Sequence, residues 1–215
     1  MGANKSVEEE QCRCMLTSGE MQVLKYIFET ILKTKKAPTI REMRLTLKKS
    51  KDYVIRTLDA LEKKDILLRK GRTQEIVSVY PLSLTPTEHQ IILRNEKRLF
   101  AMCAVDALGM PIMFNKKAKI VSQCEKCKQD ITIKIENEEI VWVSHPNIMI
   151  WSPGRQVTPA AEKCCPLVNF FCCKEHLEDW SKENSDLHGK TSEMRQTFPR
   201  IKQCWKLYGE ALGFR

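Results

Sequence analysis

Residues 20–36, EMQVLKYIFETILKTKK, place Met21, Leu24, Ile27, Phe28, Ile31 and Leu32 at intervals of three and four. That spacing predicts a helix with one apolar stripe. APTIREMRLTLKKS comes next, with Thr39 as N-cap and Glu42 three residues on, a capping-box pattern. SKDYVIRTLDALEKKD predicts a third helix, with Val54, Leu58 and Leu61 on one face. In ILLRKGRTQEIVSVYPLS, two β-prone runs flank a basic turn at Gly71, which predicts a hairpin. Three helices and a hairpin are the order of a winged-helix domain. There the third helix can enter a DNA major groove and the hairpin can touch phosphates. Lys49, Lys51, Arg56, Lys70 and Arg72 would be the contacts. Charge leans the same way: residues 1–85 hold 17 Lys+Arg against 11 Asp+Glu, and the remainder 19 against 16. A solvated, Lys-rich helical surface produces the same imbalance, and the module could simply pack on the second half of the chain.

The second half changes character. KAKIVSQ, DITIKIE, EEIVWVS and CPLVNFF predict strands, and KEHLEDWSKEN and the stretch from Glu193 predict helices. The expected class is α+β. The expected division is a flexible segment 1–18, a winged-helix-like domain 19–85 and a mixed strand/helix catalytic domain 86–215, with the boundary near SLTPTEHQ (83–90). The run 100–114 is the longest apolar one, but Asp106 interrupts it and it is too short to cross a bilayer. MGANKSVEEE has no apolar signal-peptide core, so the cytoplasm is the expected compartment. Its MGANKS fits the loose N-myristoylation pattern, one short enough to arise by chance.

In a reducing compartment the ten cysteines point to metal binding or catalysis rather than disulfides. Cys204 and at least one of Cys172 and Cys173 are expected to be small buried hydrophobes. Cys103 and Asp106 sit three apart in AMCAVDALG. On a helix both would project from one face, about 5–6 Å apart at Cβ. A thiol must lose its proton before it binds metal or attacks, and a carboxylate alongside can take that proton and return it. Spacing alone equally allows a capping Asp106 and a space-filling Cys103. Cys124 and Cys127, in CEKC, have the spacing of half a zinc site, and Cys173 and His176, in CCKEH, could supply the other half. Against this, the halves lie far apart in sequence, and Cys164–Cys165 stay unexplained. If 165–171 is a strand, Cys165, Leu167, Asn169 and Phe171 share one face.

RLFAMCAVDALGMP, the KAKIVSQC run after it, then CPLVNFF and EDW (178–180) together resemble the organomercurial (alkylmercury) lyases, most strongly over residues 97–181. The resemblance implies an enzyme that cleaves a carbon–mercury bond by protonolysis, giving a hydrocarbon and mercuric ion. It makes Cys103 and Cys165 the two mercury-binding thiols. Asp106 becomes the proton carrier and a third candidate ligand, and Cys124 a structural cysteine. Mercury is very soft, so thiolates are its natural ligands. An apolar pocket would suit an alkyl or aryl group. No resident cofactor is implied. The bound mercuric ion would leave by exchange with solution thiols or to a mercuric reductase. The partner is a small organomercurial rather than DNA or a membrane. Three positions depart from the family pattern: Met102 and Cys164 stand where aromatics are common, and Asn169 where His is common. Cys127, Cys172 and Cys173 are additional. These leave two alternatives, a metal-responsive winged-helix regulator and a zinc-binding relative without lyase activity.

Overall fold

A computed structural model describes residues 16–93, 98–154 and 158–215. Cys12, Cys14 and the MGANKS motif lie outside the described residues, as does the side chain of Arg72. The first predicted helix is α1, Ser18–Thr34. Thr17 caps it: the Glu20 N–H donates to Thr17 Oγ1 at 3.2 Å, and the Thr17 N–H donates back to Glu20 Oε2 at 2.6 Å. Helix α2, Ile40–Thr46, carries the Thr39–Glu42 capping box read from the sequence. Helix α3, Lys51–Lys63, starts at Ser50, whose hydroxyl accepts from the Tyr53 N–H. Leu24, Ile27 and Phe28 of α1 pack with Val54, Leu58 and Leu61 of α3, all fully buried.

The hairpin is β1, Leu67–Lys70, and β2, Glu75–Val79. Between them Gly71 adopts φ +41° and Gln74 φ +60°, left-handed conformations that turn the chain in few residues. Arg69, whose side chain is 6% exposed, reaches back to α3 and pairs with Asp59 at 2.6 Å and Glu62 at 2.5 Å. These contacts fasten the hairpin to the helices.

The hairpin continues into the second half. With β3 (Leu82–Ser83), β4 (Gln90–Leu93), β5 (Arg98–Ala101), β6 (Ala118–Gln123), β7 (Asp130–Glu136) and β8 (Glu139–Val143) it forms one eight-stranded sheet. Its order is β1-β2-β3-β5-β4-β6-β7-β8, and every pair is antiparallel. Strand β7 reads eBiBeBi for exposed, buried and intermediate residues, the alternation of a sheet with one covered face. Helix α4, Ala104–Met113, lies between β5 and β6 in sequence and is buried at almost every position.

A second sheet holds β9 (Met149–Pro153) at its centre, with β10 (Asn169–Phe171) and β11 (Gly189–Glu193) antiparallel to it. Before β10 come a short helix α5, Ala160–Lys163, and a 3-10 turn, Cys165–Leu167. Helix α6, Lys174–Glu183, and the long C-terminal α7, Met194–Ala211, complete the chain. The architecture is α+β, as expected.

The strand predicted over 165–171 is shortened. Only Asn169–Phe171 is extended, because Pro166 suits the first position of a turn and cannot donate to a strand ladder. The single shared face expected for Cys165, Leu167, Asn169 and Phe171 is therefore absent.

Two glycines let α4 and α7 touch. A methyl group on Gly109 would lie 2.1 Å from Trp205 Nε1, and one on Gly209 would lie 2.3 Å from the Met113 carbonyl oxygen. Trp205 then stacks on Tyr80, with ring centroids 5.2 Å apart and planes at 29°.

Candidate active site

Cys103 is the N-cap of α4. Its backbone is extended (φ −155°, ψ 176°), and its Sγ accepts the Asp106 N–H at 3.4 Å. The sulfur thus occupies the position usually given to a Ser or Asp oxygen, at the positive end of the helix dipole. One turn along α4, the Asp106 carboxyl faces the same space.

Cys165 arrives from the 3-10 turn. The Ala104 N–H donates to the Val168 carbonyl at 3.0 Å, and the Val168 N–H donates to the Cys165 carbonyl at 3.0 Å. These two bonds bring the start of α4 and the turn together, so Cys165 Sγ lies 4.0 Å from Asp106 Oδ2. Ligand atoms of Cys103, Asp106 and Cys165 all lie within 4.8 Å of one another. The three residues are buried: Cys103 and Cys165 are 5% exposed, and Asp106 1%.

Burial sets the protonation states. It pushes Asp106 up from an ordinary 3.8 to about 7, against opposing hydrogen bonds from Cys103 and Tyr80. Asp106 Oδ1 is buried with no hydrogen-bond partner. The Cys103 thiol is also driven well above its usual value. Burial is the first cause, then the neighbouring Cys165 and the charge of Asp106; the Asp106 N–H pulls the other way. Helix-dipole stabilisation of a thiolate is overridden here by the dry surroundings. In this state the site holds a protonated Cys103 thiol beside a carboxyl poised near neutrality.

A cleft of about 640 Å³ is lined by chain neighbours of the trio rather than by Cys103, Asp106 or Cys165 themselves. Met102 and Pro166, the chain neighbours of Cys103 and Cys165, form part of its wall, with His89 and Asn169 next to them. The lining also includes Ser83, Thr85 and Glu88, so the cleft is mixed in character rather than the expected apolar pocket. Asn169 donates to the Pro166 carbonyl at 3.0 Å and so braces the turn that carries Cys165. Cys164 is half-buried at the end of α5.

Two participants had no signal in the sequence. His89 is 4% exposed, and its Nδ1 lies 2.8 Å from Ser122 Oγ. Burial lowers it from 6.5 to about 4, opposed by a hydrogen bond with Asn169. Tyr80 comes from the segment after β2 and reaches Asp106 from a distant part of the chain. Neither sits in a spacing that a local motif would mark.

A second convergence gathers the CEKC turn and the residues ahead of α6. Cys124, Cys127, Cys172 and His176 have ligand atoms within 4.8 Å of one another. The expected partner Cys173 is replaced by Cys172: Cys173 is the N-cap of α6, and Cys172 directly precedes it. Sequence separation misled here, because β6 and β10 are brought together by the Glu125 N–H donating to the Phe170 carbonyl at 2.9 Å. Cys172, one of the pair expected as plain core, is buried but belongs to this cluster. Cys204 is half-buried rather than a core residue.

The profile of the alkylmercury lyase family, MerB, matches residues 82–205. An alkylmercury lyase of Bacillus cereus is 28% identical over 162 residues, covering 73% of this chain and 71% of the relative. One from Staphylococcus epidermidis is 27% identical over 135 residues, covering 62% and 58%. The crystal structure of the mercury-bound form of MerB2 superposes with a TM-score of 0.77 at 23% identity, covering 95% of each chain, a likeness of fold. With a profile match that contains both Cys103–Asp106 and Cys165, the chain belongs to the alkylmercury lyase family.

Proposed function

We propose that this alkylmercury lyase cleaves its substrate by protonolysis, with Cys103 and Cys165 as mercury ligands and Asp106 as the proton carrier. The observation that carries the reading is the buried convergence of those three groups, whose chain neighbours Met102 and Pro166 line a cleft. One thiol displaces the ligand that accompanies the organomercurial cation, and its proton leaves with that ligand. The second thiol binds and passes its proton to Asp106. Two thiolates on one soft metal push electron density toward the mercury-bound carbon. Asp106 then delivers its proton to that carbon. The electron pair of the carbon–mercury bond becomes the new carbon–hydrogen bond, and mercuric ion stays on the two sulfurs. Burial supports this division of labour, since a carboxyl titrating near neutrality can both take and return a proton.

Solution thiols, or a mercuric reductase, would then take the ion by ligand exchange, in the cytoplasm. We assign residues 19–85 as a winged-helix-like unit and 86–215 as the catalytic domain. The first unit serves as a scaffold: its hairpin shares the catalytic sheet and Tyr80 reaches Asp106.

The test is hydrocarbon release from methyl- or phenylmercury in excess thiol, measured by headspace gas chromatography. Wild type should release stoichiometric hydrocarbon, and Cys103→Ser or Cys165→Ser should release none above background. Retained turnover in both variants would sink the assignment.

A further inference from the structure

We propose that Cys124, Cys127, Cys172 and His176 form a tetrahedral site for one zinc ion, separate from the mercury-binding thiols. The donor set is three sulfurs and one imidazole nitrogen, a combination typical of closed structural zinc sites. The spacing is Cys-x-x-Cys in one segment and Cys-x-x-x-His in the other.

The distances fit an ion rather than a disulfide or plain packing. Cys127 Sγ and Cys172 Sγ are 3.8 Å apart, far beyond the roughly 2.05 Å of an S–S bond. Two sulfurs each about 2.3 Å from a tetrahedral zinc stand about 3.8 Å apart. Cys124 Sγ and His176 Nδ1 are 3.7 Å apart, against about 3.6 Å for zinc-bound sulfur and nitrogen. Cys172 Sγ and His176 Nδ1, at 2.9 Å, would separate slightly on binding.

The surroundings are those of a ligand sulfur. The backbone N–H groups of Lys126, Cys127 and Cys172 all donate to Cys124 Sγ. Such donors orient a thiolate ligand and offset its charge. The turn closes through the Lys128 N–H to the Cys124 carbonyl at 2.8 Å and the Cys124 N–H to the Gln129 carbonyl at 2.8 Å. Cys124 and Cys172 are buried, whereas Cys127 and His176 are half-buried, so an ion has a way in.

The ion would cross-link the end of β6 to the segment between β10 and α6. Strand β10 in turn leads back to the turn with Cys165, so the zinc would hold the frame from which one mercury ligand projects. It would also occupy three thiols that mercuric ion could otherwise take.

Metal analysis of protein purified without chelator tests this. The full chain should carry about one zinc per molecule. Replacement by cobalt(II) should give the visible bands of tetrahedral cobalt and thiolate-to-cobalt charge transfer in the near ultraviolet. Cys127→Ser and Cys172→Ser should lower metal content several-fold, while Cys173→Ser and the double variant Cys103→Ser/Cys165→Ser keep it. A wild-type chain that takes up neither zinc nor cobalt overturns the proposal. So does metal that disappears with Cys103 and Cys165, or with Cys173 but not Cys172. Where a variant fails to fold, the thiolate-to-cobalt charge-transfer intensity of the wild type, which scales with the number of thiolate ligands, separates the three sulfurs of this site from the two of Cys103 and Cys165.

Discussion

Asp106 Oδ2 lies 4.0 Å from Cys165 Sγ although 59 residues separate them in the chain, while the Asp106 N–H is bonded to Cys103 Sγ. One residue thereby touches both thiols, through its backbone on one side and its carboxyl on the other. A backbone contact fixes geometry without consuming the carboxylate. Cys103 and Tyr80 bond the carboxyl as well, but its Oδ1 is buried without a hydrogen-bond partner.

That arrangement carries a cost in stability. Asp106 titrates near 7 in the fold against an ordinary 3.8, so the folded state binds the extra proton between those values. Stability from this group is full below about pH 3.8 and is lost as pH rises through 7. A change from 3.8 to about 7 corresponds to roughly 4 kcal/mol at about 1.4 kcal/mol per tenfold step. Asp106→Asn should therefore gain stability over wild type as pH is raised from 4 to 8, by up to that amount. It should also lose turnover about 10²-fold or more, the usual worth of a positioned proton carrier. Denaturant unfolding at several pH values measures the first, and hydrocarbon release the second. A pH-independent stability difference would rule out the titration.

His89 pulls the pH dependence the other way. Its folded value is about 4 and its ordinary value 6.5, so the unfolded chain takes a proton that the fold refuses. Stability is full above about pH 6.5 and is lost as pH falls toward 4, by about 3 kcal/mol. His89→Asn keeps an amide near the position of Nδ1 for Ser122 and does not titrate. The variant should lose less stability than wild type between pH 6.5 and 4. Because Asp106 opposes His89 over that interval, the wild-type curve should be flatter than either single variant predicts. Parallel curves for wild type and His89→Asn would refute the role of His89.

The sequence contained the local half of this site and little of the rest. Cys103 and Asp106 are three apart, and the capping boundary at Thr39–Glu42 is a local pattern, so both were legible. Cys165 was legible through the family pattern, but its turn was not: Pro166 overrode the β-prone residues around it. Cys173 has the Cys-x-x-His spacing to His176, but it caps α6, and Cys172 is the residue that joins the cluster. Tyr80 and His89 reach the site only through sheet pairing between distant strands, which no local spacing encodes.

Tyr80 offers a test of how Asp106 is tuned. Its hydroxyl bonds the Asp106 carboxyl and lowers it, while its ring stacks on Trp205. Tyr80→Phe keeps the stacking and removes the hydrogen bond. Asp106 should then titrate higher than its present value of about 7. The fall of hydrocarbon release on the alkaline side should move to higher pH by a fraction of a unit to about one unit. An unchanged pH profile with a lower rate would assign Tyr80 to packing alone.

Gly109 tests whether helix contact supports the chemistry. A methyl group there would meet Trp205 Nε1 at 2.1 Å, so the indole must shift or the two helices must part. Alanine is the better helix former by about 1 kcal/mol, but overpacking a filled core costs about 1–3 kcal/mol, and a contact this short puts Gly109→Ala at the upper end. The net loss should lower the melting temperature by about 2–4 °C for each kcal/mol in a chain of this size. Because Trp205 stacks on Tyr80, and Tyr80 bonds Asp106, a displaced indole should also reduce turnover. Adding Trp205→Leu should restore part of the lost stability but not the turnover, since the space is relieved while the stacking partner of Tyr80 is gone. Calorimetry and hydrocarbon release on the two single variants and the double variant form the cycle that measures this. Additive stability losses would show that Gly109 and Trp205 act independently and would separate the helix contact from the site.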